Sequence, residues 1–377
     1  MKIRFIQILI IVMLLAMDSQ MLFAQSEPNV ISTGVPFLSI TPDSRIGGMG
    51  DAGVGATPGI SSQHWNPAKY VFMESEMGVG LSYSPWLVNL VNDINLAYLT
   101  FYKKMDDVQA ISASLRYFGL GDIIFTDEDA VYMGQQSPNE FALDVAYSRL
   151  LSEAFSGSVA LRYIRSDLAS GAGIEGYSPG NSYAADIAFY YQKELRMNRK
   201  DNTFAAGINI QNIGSKISYD EGNTKDFIPT TLRLGTSFTS ELDNYNSFMF
   251  SLELSKLLVA TQDSMTREEY SKLGPIGGIF KSFADAPGGF KEELQEIMIG
   301  AGVEYWYNKQ FAIRAGYFHE HENKGNRKYM SAGAGLRMNV FSLDFSYLFP
   351  IATANHPLEN TMRFTLAFDI DAFSSQR

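Results

Sequence analysis

The chain has 377 residues, a formal net charge of −11 and no cysteine. This acidic balance disfavours binding to nucleic acid, because the phosphate backbone would be repelled. The lack of cysteine excludes disulfides, thiol chemistry and the acylation site of a lipoprotein.

The start of the chain has the composition of a secretory signal peptide, which we place at residues 1–24. Lys2 and Arg4 supply its basic start, residues 5–17 are apolar, and cleavage is expected after Ala24. The apolar run is too short to span a bilayer as a helix, which weakens the alternative of a retained membrane anchor. The sequence therefore predicts an exported protein.

Residues 25–77 are rich in glycine and proline and show no strand periodicity. They are either a flexible leader or a plug-like segment that folds into a barrel, and we expect the second. Residues 48–53 match the G-x-G-x-x-G pattern of dinucleotide sites, but no strand precedes them and no helix pattern follows. Their glycines are therefore expected to permit tight turns. Asp43 and Arg45 are expected to pair with charges in the lumen.

Residues 78–373 repeat one unit, in which about ten residues alternate apolar with polar or small side chains before a turn or loop. Phe341 and Leu343, for example, alternate with Ser342 and Asp344. We therefore predict an all-β fold, a transmembrane outer-membrane β-barrel of about fourteen antiparallel strands whose apolar face contacts outer-membrane lipid. The predicted strands cover residues 78–84, 95–104, 108–118, 140–150, 155–165, 182–192, 203–212, 229–239, 247–256, 297–307, 310–319, 328–338, 340–349 and 360–372.

The other face of these strands repeatedly carries a charged side chain, which is expected to point into the lumen. These residues are Arg116, Asp144, Arg162, Asp186, Arg233, Glu253, Arg337, Asp344 and Arg363. A soluble sandwich would alternate in the same way. However, long connections follow odd-numbered strands and mostly short ones follow even-numbered strands. This matches the outer loops and periplasmic turns of outer-membrane barrels, and it predicts that both termini lie in the periplasm.

Two outer loops carry apolar residues. Residues 85–94 contain Trp86, which either packs over the barrel mouth or contacts a partner or the lipid interface. The longest loop, residues 257–296, contains helix-like pieces at 264–273, with its first residue as the expected cap, and at 290–297. Its apolar residues form either a protein-binding surface or a lid over the lumen. The candidate partner-binding residues are Trp86, Ile276, Ile279, Phe280, Phe283 and Phe290.

The sequence has no spacing typical of a catalytic, cofactor-binding or metal-binding site. His319 and His321 share a strand face, but no third ligand is identifiable, so a solvated loop rim is favoured. Residues 127–129 are acidic, but Tyr132 stands where a calcium loop requires glycine. We therefore expect no enzyme activity, no cofactor and no metal.

Five segments near the N-terminus form a specific combination, at residues 36–38, 42–45, 47–53, 65–70 and 93–98. Their motif residues are Asp43, Arg45, Gly48, Gly50, Asp51, Asn66 and Pro67. In this combination the chain resembles the PorV family (also called LptO) of outer-membrane barrels in the type IX secretion system. The Asn-Pro-Ala element at 66–68 is less specific, since the wider class of FadL-like barrels has a similar pattern.

The resemblance implies a FadL-like barrel of fourteen strands and a role in protein export. It also implies the partners. Members of the family bind the C-terminal signal domain of secreted cargo and carry it from a large translocon barrel (SprA- or Sov-like) to the surface sortase PorU and its attachment complex. The alternative is a FadL-like transporter that passes hydrophobic small molecules through its lumen. The charged lumen face and the long outer loop favour the adaptor.

Overall fold

A computed structural model describes residues 29–87, 93–126, 129, 131–169, 176–197, 200–222, 224–262, 265–351 and 361–370. Fourteen strands form one closed barrel, in which every strand pairs antiparallel with both neighbours. The first and last strands close the barrel, with Gly78 opposite Asp369 and Tyr83 opposite Phe364. The predicted fold class and strand number are therefore confirmed.

The barrel strands each overlap one predicted strand. They are β1 (Met77–Pro85), β2 (Ile94–Asp106), β3 (Gln109–Leu120), β6 (Asn139–Ser152), β7 (Phe155–Asp167), β8 (Gly180–Met197), β9 (Lys200–Gly214), β10 (Thr231–Glu241), β11 (Asn246–Leu257), β12 (Met298–Tyr307), β13 (Phe311–His319), β14 (Lys328–Arg337), β15 (Phe341–Pro350) and β16 (Met362–Asp369). Two further strands, β4 (Ile123–Thr126) and β5 (Tyr132–Gln136), pair only with each other in an outer loop. Sequence reasoning missed this hairpin, since it predicted an irregular loop.

Alternate side chains of each barrel strand face opposite environments, as β3 illustrates. Ser112 and Arg116 are buried in the lumen, whereas Ile111, Leu115 and Tyr117 are exposed on the outer wall. A soluble sandwich would bury its apolar face, so exposed aliphatic and aromatic side chains on a closed barrel indicate contact with lipid.

In the described residues, helical structure is confined to short pieces. The N-terminal segment contains α1 (Ser44–Gly47), α2 (Ser62–Trp65) and 3-10 turns at Pro36–Ser39 and Pro67–Phe72. The longest outer loop contains α3 (Arg267–Lys272), α4 (Pro275–Lys281) and α5 (Phe290–Gln295), and another 3-10 turn covers Glu322–Lys324. Within the part of the chain that the structure describes, no helix has the length and apolar character to cross a membrane.

The helices of the longest loop differ partly from prediction. The expected cap, Ser264, lies outside the described residues. Thr266 caps α3 instead. Its side-chain hydroxyl accepts from the Glu269 amide, and the Glu269 carboxylate accepts from the Thr266 amide. The helix α4 was not predicted, since Gly277 and Gly278 lower its intrinsic helix propensity.

The described N-terminal residues, from Asn29 onward, lie at the outer end of the barrel, which contradicts the periplasmic position predicted for this end of the chain. The last strand, by contrast, ends beside the periplasmic start of β1, as predicted, with Asp369 opposite Gly78. The Gly34 amide donates to the Phe227 carbonyl at 2.8 Å, and Phe227 precedes β10 in an outer loop. The Asn29 amide group donates to Glu292 of α5 at 3.0 Å. The chain then runs down the lumen and reaches the periplasmic start of β1. The loop-length pattern specifies the strand directions but not the path of the residues before β1.

Candidate functional site in the lumen and on the outer loops

Residues 35–72, which we call the lumen segment, lie against the inner wall backbone to backbone. A Cβ atom at Gly316 of β13 would lie 2.0 Å from the Gly50 amide nitrogen. At Gly302 and Gly300 of β12 it would lie 2.3 Å from the Met49 carbonyl oxygen and 2.5 Å from that of Gly50. The glycines on both sides therefore permit close approach, which the sequence interpretation missed. A tight turn is also present at Gly50, where φ is +62°.

Arg45 pairs with a lumen charge, as expected. Its guanidinium donates to Glu304 of β12 at 2.8 and 2.9 Å and to the Thr57 hydroxyl at 2.6 Å. Glu304 also accepts from Arg314 of β13 at 2.6 Å, and its side chain is only 2% exposed. One buried carboxylate thus joins the lumen segment to two strands.

Asp43 does not form the expected charge pair. Its carboxylate accepts from the Ile46 amide at 3.0 Å, where it caps α1, and from the Trp65 indole N–H at 2.7 Å. These two neutral donors occupy its oxygens. Asp43 therefore holds two parts of the lumen segment together instead of binding the wall.

The remaining motif residues also fix the lumen segment in place. The Tyr329 hydroxyl of β14 donates to Asp51. The Asn66 amide group donates to the Phe189 carbonyl of β8 at 2.9 Å, and its oxygen accepts from the Ala68 amide at 3.1 Å. Gly48 packs on Gly333, and the Pro67 carbonyl accepts from Ser148. Every motif residue thus has a structural contact inside the barrel.

The charged residues expected on the inner wall lie there, and all except Arg233 and Arg337 are buried. Arg162 pairs with Asp144 and Asp186 at 2.5 and 3.0 Å. Glu253 accepts from Arg233 at 2.7 Å and from the Gly53 amide at 2.7 Å. Each of these three carboxylates thus has a cationic partner, so this part of the inner wall is polar but electrically compensated.

Residues 265–296, which we call the outer platform, end in the helix α5 and the residue after it, where two carboxylates are buried and two apolar side chains are exposed. Glu293 of α5 and Glu296, the residue that follows the helix, are buried against Lys256, with the Glu293 contact at 3.0 Å. On the opposite side of α5, Phe290 is 78% exposed and Leu294 is 52% exposed. Residues four apart share a helix face, so α5 presents an apolar face to solvent.

The helix α4 adds to this exposed face. Gly278 packs on the Phe227 ring, where a Cβ atom would lie 2.8 Å from the ring. On the other side Ile276 and Phe280 are exposed, and Phe283 follows just beyond the helix. Of the predicted partner-binding residues, these three and Phe290 are exposed, whereas Ile279 is half-buried.

Trp86 has a different environment from the platform residues. It is half-buried and packs against the cluster of Val35, Phe37 and Phe118 at the barrel mouth. Residues 88–92 of its loop lie outside the described residues. Packing over the mouth is therefore the alternative that the described contacts of Trp86 match.

Polar contacts attach the outer platform to the barrel. The Lys216 ammonium donates to the Tyr270 carbonyl at 2.7 Å and lies 4.0 Å from the Phe227 ring centroid. Burial lowers the pKa of Lys216 and raises the pKa of Tyr270 to about 12. Asp285 accepts from the Thr261 amide at 2.7 Å, and burial raises the pKa of this carboxyl.

The two histidines considered as metal ligands make separate local contacts. His319 lies 3.2 Å from the Tyr317 hydroxyl, and His321 accepts from the Asn323 amide at 3.2 Å. In the described ranges, no group of three or more histidine, aspartate or glutamate side chains is arranged to hold a metal ion. Asp127 and Glu128 lie outside those ranges.

Solved outer-membrane barrels share the architecture at very low sequence identity. A TodX deletion mutant described as a monoaromatic hydrocarbon channel is 9% identical, with 86% of this chain and 98% of that chain covered at a TM-score of 0.50. The Pseudomonas putida toluene transporter TodX is 9% identical, with coverages of 91% and 99% and a TM-score of 0.47. A Pseudomonas aeruginosa FadL homologue is 11% identical, with coverages of 88% and 99% and a TM-score of 0.45. These likenesses concern the fold alone.

No curated protein sequence matches the chain. The family model described as "Type IX secretion system protein PorV" matches residues 23–264, which is more than half of the chain. The matched region includes the lumen segment and the strands from β1 to β11. The protein therefore belongs to the PorV family and is an outer-membrane component of the type IX secretion system of a Gram-negative bacterium.

Proposed function

We propose that this barrel is a secretion adaptor that binds the C-terminal signal domain of secreted cargo on its outer platform. It takes the cargo from the large translocon barrel and delivers it to the surface sortase PorU and the attachment complex. The protein itself performs no chemistry in this scheme. Its membership of the PorV family supports the export role, and the apolar outer platform supports protein binding.

The observation that carries the proposal is the inverted amphipathic character of α5. A helix on a protein surface normally buries its apolar side and exposes its charges. Here Glu293 and Glu296 are buried, while Phe290 and Leu294 are exposed beside Phe280. Exposed aromatic clusters of this kind mark protein-binding surfaces, and such residues become the anchors of an interface.

The lumen argues against the alternative of a transporter for hydrophobic small molecules. The lumen segment crosses it and makes close backbone contacts at Gly50 and ion pairs such as Arg45 with Glu304. An apolar solute would have to pass these groups without compensating their charges. The strands β1, β2 and β3 pair along their lengths, which leaves no lateral gap in this part of the wall.

The test removes two anchors from the outer platform. In the double variant Phe280→Ser and Phe283→Ser, the barrel should fold normally, because these side chains are exposed and lie outside the strands. Truncating one anchor residue typically weakens the free energy of binding by about 2 kcal/mol or more. Recovery of an isolated cargo signal domain or of the translocon should therefore fall at least about tenfold. Pull-downs with equal amounts of membrane-inserted protein measure this recovery.

The matched control is the double variant Leu242→Ser and Tyr245→Ser. It removes two exposed apolar side chains from a periplasmic turn, so it should leave recovery unchanged. Unchanged recovery of both partners by the Phe280 and Phe283 double variant would contradict the platform assignment.

Deletion of the protein should leave signal-bearing cargo in the periplasm with its signal uncleaved. Normal surface display with loss of hydrophobic-solute uptake would instead support the transporter.

A further inference from the structure

The periplasmic half of the barrel contains a cavity of about 620 Å³ beneath the lumen segment, which we call the vestibule. Its ceiling includes Arg45 and Lys69, and its walls reach the periplasmic ends of the strands at Glu194, Glu241 and Arg337. This volume lies within the usual range for sites that bind small molecules, about 300–1,000 Å³. The vestibule is distant from the outer platform, at the opposite end of the barrel.

One wall of the vestibule carries an arginine with unused donors. The Arg337 guanidinium lies 4.9 Å from the Trp306 ring centroid, which orients it. Arg314 stacks on the same ring at 5.5 Å but donates to Glu304 and Asp344, both at 2.6 Å. By contrast, the Arg337 side chain has no hydrogen bond or ion pair with any part of the chain described. A guanidinium held in this way is ready to bind a carboxylate with two parallel hydrogen bonds.

The wall formed by β8 and β10 has the opposite charge. Glu194 and Glu241 line the vestibule at the periplasmic ends of these strands, and neither forms an ion pair with a described residue. Thr239, two residues before Glu241 on the same face of β10, has a buried hydroxyl without a hydrogen-bond partner among the described residues. Asp369 of β16 likewise retains a buried oxygen without one. The vestibule therefore offers separated positive and negative groups together with free polar atoms.

We propose that the vestibule binds a short zwitterionic peptide from the periplasm. The carboxylate of the peptide pairs with Arg337, and its ammonium group lies toward Glu194 and Glu241. Buried oxygens at Thr239 and Asp369 supply partners for backbone N–H groups, which an apolar solute would leave unsatisfied. A ligand with both charges can pair with Arg337 and with the two glutamates at the same time. This site does not depend on the proposed role of the outer platform.

The test uses the full-length barrel in detergent micelles and tetra-alanine with both termini free. Isothermal titration should show saturable binding. Binding should weaken about tenfold or more when the peptide carboxylate is amidated or when Arg337→Gln removes the guanidinium, because each change breaks a charge-assisted pair. Acetylation of the peptide amine and the double variant Glu194→Gln and Glu241→Gln should each weaken binding as well.

The matched control is Arg149→Gln. Arg149 is also exposed at the periplasmic end of a strand, but it points away from the lumen. All variants should keep the heat-modifiable gel mobility of a folded barrel. The proposal is overturned if no saturable binding occurs or if a peptide that is both acetylated and amidated binds as well as the free peptide. It is also overturned if R149Q reduces binding as much as R337Q. Any of these outcomes would show that the vestibule does not recognise the two charges of a zwitterionic peptide, and it would leave the outer-platform proposal unaffected.

Discussion

The close contact between Gly50 and Gly316 explains how an irregular segment can be held inside a barrel. Regular strands pair through their edges, but the lumen segment crosses the inner faces, where side chains normally point. Glycines on the wall remove those side chains, so the two backbones come within contact distance. Charged pairs such as Arg45 with Glu304 then add directional bonds. Specific residues, rather than a continuous hydrogen-bond ladder, thus determine the position of the lumen segment.

The first prediction concerns Gly316→Ala. The added methyl group would lie 2.0 Å from the Gly50 nitrogen, so either the lumen segment or β13 must move. Overpacking of this kind typically lowers the free energy of unfolding by about 1–3 kcal/mol. We expect a lower thermal midpoint in the heat-modifiability assay. The control Gly274→Ala adds the same methyl group where no atom lies within 4 Å, and it should keep the midpoint of the unmodified protein. Equal midpoints for the two variants would contradict the backbone contact.

The strands were predictable from the sequence because the barrel imposes one simple requirement on each of them. Lipid requires apolar side chains on one face, and the charged lumen requires polar side chains on the other. The helix α4 lacked such a signal. Its glycines disfavour a helix in isolation, and packing of Gly278 on Phe227 stabilises it in the fold. The β4–β5 hairpin is likewise short and has exposed residues on both strands, so no alternation distinguished it.

The helix α5 depends on charges for its attachment to the barrel. Lys256 contacts both Glu293 and Glu296, and Lys324 pairs with Glu292 and Glu296 at 2.6 and 3.0 Å. These buried pairs leave Phe290 and the other apolar residues free for a partner. Removing one member of a buried pair is strongly destabilising, because the remaining charge is left uncompensated.

The second prediction tests this attachment with Lys256→Met. The change leaves Glu293 without its cationic partner, so α5 should detach locally while the barrel stays closed. Hydrogen exchange of the amides in α5 should therefore become faster. The control Lys272→Met removes a lysine whose pair with Glu268 is largely exposed, and it should not change exchange in α5. Unchanged exchange in both variants would show that α5 is held by contacts other than Lys256.

At the scale of the whole molecule, the direction of the lumen segment could not be read from the sequence. The motif residues identified the segment, and Arg45 pairs with the wall as predicted. However, a segment before β1 can fill the lumen from either end without any change in composition. The direction follows from long-range contacts, such as Asn29 with Glu292 and Gly34 with Phe227. It places the outer platform in contact with Asn29, just before the lumen segment, so both parts of the candidate site form one connected structure.

The third prediction tests this direction on intact cells. The chain has no cysteine, so a single Val30→Cys variant gives one labelling site without background. Val30 is 51% exposed next to the outer loops, so a membrane-impermeant maleimide should label it from outside, as it should label Phe280→Cys on the outer platform. Leu242→Cys in a periplasmic turn should react only after the outer membrane is permeabilised. If Val30→Cys behaves like Leu242→Cys, the N-terminal residues lie in the periplasm. The N-terminal segment would then have to enter the lumen from the periplasmic end, and the contacts of Asn29 and Gly34 with the outer loops would not form.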